Sequence, residues 1–252
     1  MRLLISIFLL AGLALLTPPA RAGIILNTLD GGITAKPGVS GSLGSLFSAK
    51  GGNTEKINLE TGGRLDWSDG KQRLRLQIMA EYEETAGIET ERNIVGHLRH
   101  NRRLGERFSS VMFAQIQHDP FKRLERRWLV GAGLRREMVR TEKVLLALGA
   151  TPMLEIERFK EEAKSRARGR LSIFLNFSRR LRESISLQTS AFYQPLFADL
   201  GSVRGMIDVA LVVEMTGSLK LKAGYMGERD SEPASGVKKN DWKTYWGLTY
   251  GF

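Results

Sequence analysis

Three histidines are the first places to look for chemistry in this 252-residue sequence, because an imidazole can hold a metal or act as a general base. His97 and His100 stand three apart, and on a strand that spacing sends them to opposite faces, so they cannot share an ion. His118 lies near a loop. There is no cysteine, so thiolate zinc sites, iron–sulfur clusters, cysteine nucleophiles and disulfide frameworks all fall away. Neither a nucleotide-binding glycine pattern nor an HExxH run occurs. No metal and no cofactor are therefore expected. One arrangement is suited to nucleophilic catalysis: folding 91–103 onto 108–118 about Gly105 sets His100 opposite Ser110, the pair that a Ser–His lipid esterase needs. The same register leaves Arg73 on one neighbouring strand and Gly133 on the other, with no carboxylate or amide to orient the imidazole. The esterase stands as the alternative reading, and no catalytic residue is assigned.

Charge is more plentiful than nucleophiles, with 38 Lys+Arg against 27 Asp+Glu. Pairing about 68–70 places Asp66 opposite Arg73, and pairing about Gly217 places Glu214 opposite Lys220. Opposite charges facing each other across a ladder contribute about 0.2–1 kcal/mol. These four are the candidates for a charged interior, where they either fill and rigidify it or select small solutes. The segment 157–170 carries Arg158, Lys160, Lys164, Arg166, Arg168 and Arg170 and is expected as a solvated charged loop.

Side chains so placed need strands to hold them, and the sequence alternates with period 2 along most of its length. Leu74, Leu76, Ile78, Ala80 and Tyr82 interleave with Arg73, Arg75, Gln77, Met79 and Glu81. Leu171, Ile173, Leu175 and Phe177 do the same, as do Ile207, Val209, Leu211, Val213 and Met215, and Leu219, Leu221, Ala223 and Tyr225. Turn residues divide the chain into strands expected at 38–48, 56–67, 72–83, 91–103, 108–118, 126–138, 144–156, 168–179, 184–194, 203–215, 219–229 and 241–252. Pro152 cannot donate to a ladder and suggests a bulge. The connections at 68–70, 104–106, 140–142, 181–183 and 216–218 are tight. Those at 85–89, 119–125, 157–166, 195–201 and 230–240 are longer. Tight turns at one end and long loops at the other describe an all-β, transmembrane, up-and-down antiparallel barrel of about 12 strands. A soluble sandwich or lipocalin-like fold would instead bury the apolar face and expose the charged one.

The N-terminus reads as an export signal. Arg2 precedes an apolar run of about fourteen residues, short of the roughly 20 that span a bilayer as a helix. Pro18 and Pro19 then break it, and Ala20 and Ala22 flank Arg21 in a peptidase-readable site. The expected organisation is a signal peptide over 1–22 cleaved after Ala22, a periplasmic linker over 23–36 and a barrel over 37–252. At the other end Trp242, Trp246, Leu248, Tyr250 and Phe252 share one strand face, with Thr244 as the polar exception. This aromatic belt, with Gly247, Tyr250 and terminal Phe252, resembles the signal read by the barrel-assembly machinery.

Several short motifs carry a family resemblance. Gly52-Asn53-Thr54-Glu55, Arg127-Trp128-Leu129-Val130-Gly131-Ala132-Gly133-Leu134-Arg135, Tyr193-Gln194-Pro195, Ser218-Leu219-Lys220-Leu221-Lys222 and Gly236-Val237-Lys238-Lys239-Asn240-Asp241 together resemble the salt-induced outer-membrane protein family. The resemblance implies a Gram-negative outer-membrane barrel with a link to salt or osmotic stress, and it supplies no activity. The expected role is a non-enzymatic envelope protein, structural or weakly pore-forming. Expected partners are outer-membrane lipid and lipopolysaccharide, whose phosphates suit the basic loops, and the assembly machinery during biogenesis. An exported barrel meets little nucleic acid, so none is expected despite the formal charge of +11. Oligomeric state is left open.

Overall fold

The computed structural model describes residues 37–50, 56–160, 162, 164–233, 237 and 239–252. The leader, the linker and the motif at 52–55 lie outside the described residues.

Twelve strands follow one another along the chain: β1 Gly38–Lys50, β2 Lys56–Ser68, β3 Gln72–Thr85, β4 Ile88–Arg103, β5 Phe108–Asp119, β6 Leu124–Arg140, β7 Val144–Phe159, β8 Arg166–Arg182, β9 Ile185–Pro195, β10 Val203–Glu214, β11 Leu219–Asp230 and β12 Asn240–Gly251. Each pairs antiparallel with its sequence neighbours, and β1 pairs with β12, so the sheet closes on itself. Closure removes the unpaired edges that an open sheet would present to lipid.

The alternation read from the sequence becomes an inside-out polarity. On β7, Thr151, Glu155 and Glu157 are buried while Leu154 and Ile156 are exposed. On β4, Asn93, His97, Arg99 and Asn101 are buried while Ile94 and Leu98 are exposed. Trp128, Val130, Ile207, Leu211, Trp246 and Tyr250 continue the outer belt. A continuous apolar belt is far larger than the few hundred Å² a soluble monomer normally exposes, and it is stable only against lipid. The polarity is the reverse of a soluble sandwich or lipocalin, in which the leucines would be inside.

Turn chemistry departs from expectation in three places. The connection expected as a loop at 85–89 is a two-residue hairpin. Ala86 and Gly87 have φ of 52° and 75°, the paired left-handed geometry whose twist matches the flanking strands. The β2–β3 turn is offset from the expected centre. Gly70 adopts φ 87°, and the Asp69 carboxylate accepts from the backbone N–H of Lys71 (2.8 Å) and Gln72 (2.6 Å). Asp66 therefore faces Arg75, and Ser68 faces Arg73. At Pro152 there is no bulge: Gly131–Met153 and Leu134–Ala150 keep one register on either side of an interrupted stretch of ladder. On its other edge Pro152 pairs with Leu171.

Candidate functional site

The lumen gathers the polar chemistry, and it is densely filled along β4–β10. Its long-loop end is an ion-pair network joining β6, β7, β8 and β10. Glu157, fully buried, accepts from Arg127 Nε (2.8 Å), Arg168 Nη2 (2.6 Å) and Arg204 Nη2 (2.9 Å). Glu155 accepts from Arg170 Nε (2.8 Å) and from Arg204 Nη1, while Arg204 Nε reaches Asp230 (2.8 Å). Arg170 also donates to the backbone carbonyls of Gln194 (2.9 Å) and Ser202 (3.3 Å), tying the β9–β10 loop to the lumen wall. Arginine suits this role because its planar fork serves two acceptors at once and stays charged when buried.

Below the network lies an aromatic layer. The His97 and Phe113 rings stack at 5.5 Å, and Phe174 meets Phe192 at 6.1 Å, beside Val111, Leu129, Met153 and Met206. Gly149 makes room for Phe174: a Cβ there would stand 2.1 Å from its Cζ. A cavity of about 40 Å³ remains between this layer and the network, room for a few waters only.

At the tight-turn end, Asp66 collects Arg73 and Arg75, each with Nε at 2.8 Å, and Arg64 at 3.0 Å. Of the sequence candidates, Asp66 and Arg73 are thus joined inside the lumen, although across a diagonal rather than directly opposite. Glu214 and Lys220 face each other as expected, with Nζ at 2.8 Å, but about half of each side chain is exposed, so the pair belongs to the rim. The network above was missed. Arg168 and Arg170 fall both in the expected strand 168–179 and in the charged segment expected as a solvated loop; they lie on β8 and point inward, so the strand holds and the solvated loop does not. The signal was present in the sequence: alternating Glu155 and Glu157 precede alternating Arg166, Arg168 and Arg170 across one hairpin.

The filling is one-sided. On β2, β11 and β12 four inward side chains keep roughly a quarter of their surface in solvent, Arg64 29 %, Lys222 27 %, Glu60 27 % and Lys243 25 %, while Asp66 on β2 and Glu228 on β11 are buried. Gly44 faces Gly62 and Gly247 faces Lys222 along this wall, so little side-chain volume fills it. Charges here are paired but wet: Lys243 Nζ lies 3.1 Å from Glu60, and Lys222 Nζ lies 3.5 Å from Asp208, which accepts from Tyr245 Oη at 2.6 Å.

The esterase constellation does not form. His100 faces Met112 and Ser110 faces Arg102, a register two residues from the one expected, because the β4–β5 turn takes in Leu104 and runs through to the Phe108 carbonyl. His100 instead pairs with Gln72 Oε1 at 3.0 Å. Among the described residues no group of three or more His, Cys, Asp and Glu side chains could hold a metal ion.

Gly247, Tyr250 and Phe252 lie on and just beyond the closing strand. Tyr250 and Phe252 are exposed on the outer face, and the Phe252 and Gly41 backbones exchange hydrogen bonds of 2.8 and 3.0 Å across the seam.

Comparison with known proteins agrees with this geometry. A family model described as "Protein of unknown function, DUF481" matches residues 46–252, most of the chain. It spans all five motifs quoted above, and its description says nothing of salt. A NanC porin structure aligns with a TM-score of 0.52 at 9 % identity, covering 84 % of this chain and 98 % of that one. A KdgM porin in complex with disordered oligogalacturonate gives 0.45 at 11 %, covering 85 % and 99 %. The translocator domain of the autotransporter NalP from Neisseria meningitidis gives 0.43 at 11 %, covering 85 % and 87 %. No curated protein matches the chain. The fold is a closed twelve-stranded antiparallel barrel, similar to that of the NanC porin.

Proposed function

This chain belongs to the DUF481 family of proteins of unknown function, and from that premise we propose that it is a non-enzymatic outer-membrane protein of a Gram-negative envelope whose lumen is a narrow, charge-lined passage for small solutes. The observation that carries the reading is the asymmetry of the lumen. Arg64 and Lys222 on the tight-turn half and Glu60 and Lys243 on the long-loop half are all partly solvated, so one wet strip runs along the barrel beside a packed wall. Fixed charges of both signs along such a strip admit small polar solutes and exclude bulky ones. A link to salt or osmotic stress rests on the resemblance alone.

Planar-bilayer recording on the purified chain tests the passage. Small, reproducible conductance steps are expected, and Ser42→Trp, which faces Arg64 across β1–β2, should reduce them several-fold without preventing folding. Silent bilayers containing correctly folded barrel, or steps unchanged by Ser42→Trp, would sink the reading.

Export with cleavage after Ala22 and placement in the outer membrane belong to the same proposal. Tight turns then face the periplasm and the long loops face outward. The outer rim is basic, with Arg123, Arg126, Arg158, Lys160, Lys164 and Arg166 exposed, which suits lipopolysaccharide phosphates. Trypsin added to intact cells should therefore cut near Lys164 or Arg166, in the exposed connection between β7 and β8, and leave the Arg140–Lys143 end intact. Cleavage at Arg140 or Lys143 with protection near Lys164 would show the barrel to be inverted.

A further inference from the structure

We infer that the long-loop half of the lumen holds a small ammonium solute that also carries a hydroxyl, on a site built from Glu81, Glu91, Asn93 and Gln117. Glu91 lies buried on β4, directly opposite Glu83 across β3–β4, and like charges facing across a ladder repel. The charged groups acting most strongly on Glu91 are Glu81 and Asp119, both negative, and Lys122 and Lys243. Both lysines are already engaged. Lys122 Nζ lies 3.3 Å from Asp119, and Lys243 Nζ lies 3.1 Å from Glu60 and 3.5 Å from Glu81. The Glu91 carboxyl itself makes no hydrogen bond or ion pair among the described residues.

Two buried amides stand beside it. Asn93 is the next lumen-facing residue on β4, opposite Glu81 and only 1 % exposed. Neither its Oδ1 nor its Nδ2 has a hydrogen-bond partner among the described residues. Gln117, also 1 % exposed, pairs with Val95, one lumen position further along. Its Oε1 accepts from Arg127 Nη1 at 3.1 Å, while its Nε2 has no partner among the described residues. Buried amides without partners are costly, and here they set two donors and one acceptor next to an unpaired carboxyl.

A carboxyl so placed takes up either a proton or a cation. A proton would leave both amides as they are, whereas a cation that carries an oxygen serves them all. Among the described residues no three His, Cys, Asp or Glu side chains are grouped to hold a metal ion, so the cation must bring its own N–H donors. A primary ammonium has three, one each for Glu91, Glu81 and Asn93 Oδ1, and a hydroxyl oxygen can accept from Asn93 Nδ2 and Gln117 Nε2. Access comes from the wet strip: side-chain exposure falls from 27 % at Glu60 to 10 % at Glu81 on the adjacent strand, with buried Glu91 beyond.

The inference rests on the passage reading and deepens it, and the two can fail separately. Radiolabelled ethanolamine should bind saturably to the full chain folded in detergent micelles at constant ionic strength. Ethylammonium, which lacks the hydroxyl, should compete about tenfold less well, and tetramethylammonium, which has no N–H, should not compete. Glu91→Gln keeps the shape and removes an unpaired buried charge. It should fold with a urea midpoint equal to or above that of the parent, yet weaken ethanolamine binding by about tenfold or more. Asn93→Leu should erase the preference for ethanolamine over ethylammonium, and Glu214→Gln on the rim should leave binding unchanged. Absence of saturable binding, equal competition by tetramethylammonium, or binding indifferent to Glu91→Gln overturns the site. A Glu91→Gln barrel less stable than the parent would show that the carboxylate already has a partner in the lumen, and overturns it too. Equal competition by ethylammonium in the parent removes the hydroxyl and the amides from the assignment. Conductance without ethanolamine binding overturns the site and leaves the passage standing. Ethanolamine binding in a barrel that never conducts leaves the site standing and removes the passage.

Discussion

Deleting Phe252 should prevent most of the chain from reaching the closed barrel, both in cells and during refolding in detergent. Among the described residues, the ladder between β1 and β12 runs only from Ser42–Gly251 to Ser45–Leu248, whereas the β1–β2 ladder extends from Gly38–Ser68 to Lys50–Lys56. Beyond Gly251, the Gly41 N–H donates to the Phe252 carbonyl and the Phe252 N–H donates to the Gly41 carbonyl. The deletion removes both bonds from the shortest ladder among the described residues. Each is worth about 0.5–1.5 kcal/mol in water and more where water is absent, and ~1.4 kcal/mol is already tenfold in population. The folded, heat-modifiable fraction should therefore drop at least about tenfold.

Two controls separate closure from recognition. A Cβ on Gly41 would lie 2.5 Å from Phe252 Cζ, so the terminal ring rests over a glycine on the neighbouring strand. Phe252→Ala keeps the backbone pair and loses only the ring. It should refold nearly as well as the parent in detergent, yet accumulate poorly in cells if the assembly machinery reads the aromatic terminus. Thr249→Ser, inward on the same strand, should match the parent in both settings. Equal refolding yields for the deletion and the parent would remove Phe252 from barrel closure altogether.

The strands were legible in the sequence because period-2 alternation recurring over most of a chain marks extended segments. Even the weakly alternating segments expected at 91–103 and 108–118 are strands, Ile88–Arg103 and Phe108–Asp119. Registers were less legible, since they depend on turn geometry. Two turns each displaced a pairing by two residues: the Asp69–Gly70 turn moved Asp66 from Arg73 to Arg75, and the turn after Arg103 moved His100 from Ser110 to Met112. Because a shift of two preserves the face, Asp66 stayed in the lumen and still reached Arg73, but His100 and Ser110 lost their juxtaposition. The lumen itself was hardest to read. A barrel interior and a solvated loop are both polar, so the charges of 157–170 read as solvated although the expected strand 168–179 took in Arg168 and Arg170, which the β7–β8 hairpin sets against Glu155 and Met153.

That missed network should also be the most costly to break. Glu157→Ala should destabilise the barrel by about 3–5 kcal/mol, the range for removing one partner of a buried ion pair. The reason is what stays behind. Arg127, Arg168 and Arg204 all donate to Glu157, so its loss leaves three guanidiniums sharing Glu155, Asp230 and the exposed Glu232. Glu157→Gln keeps the volume and one acceptor oxygen but not the charge, and should fall between the alanine variant and the parent. Glu214→Gln is the matched comparison, because that pair is half in solvent, and it should change stability by no more than about 1 kcal/mol. Urea titration of the refolded barrels in lipid vesicles, followed by loss of heat-modifiable mobility, measures all three. High salt should narrow the difference between Glu214→Gln and the parent, since the exposed pair is screened, and leave the Glu157→Ala deficit largely intact. If Glu157→Ala were no worse than Glu214→Gln, the network would be hydrated and soft, and the long-loop end of the lumen would be a far more open mouth than its packing indicates.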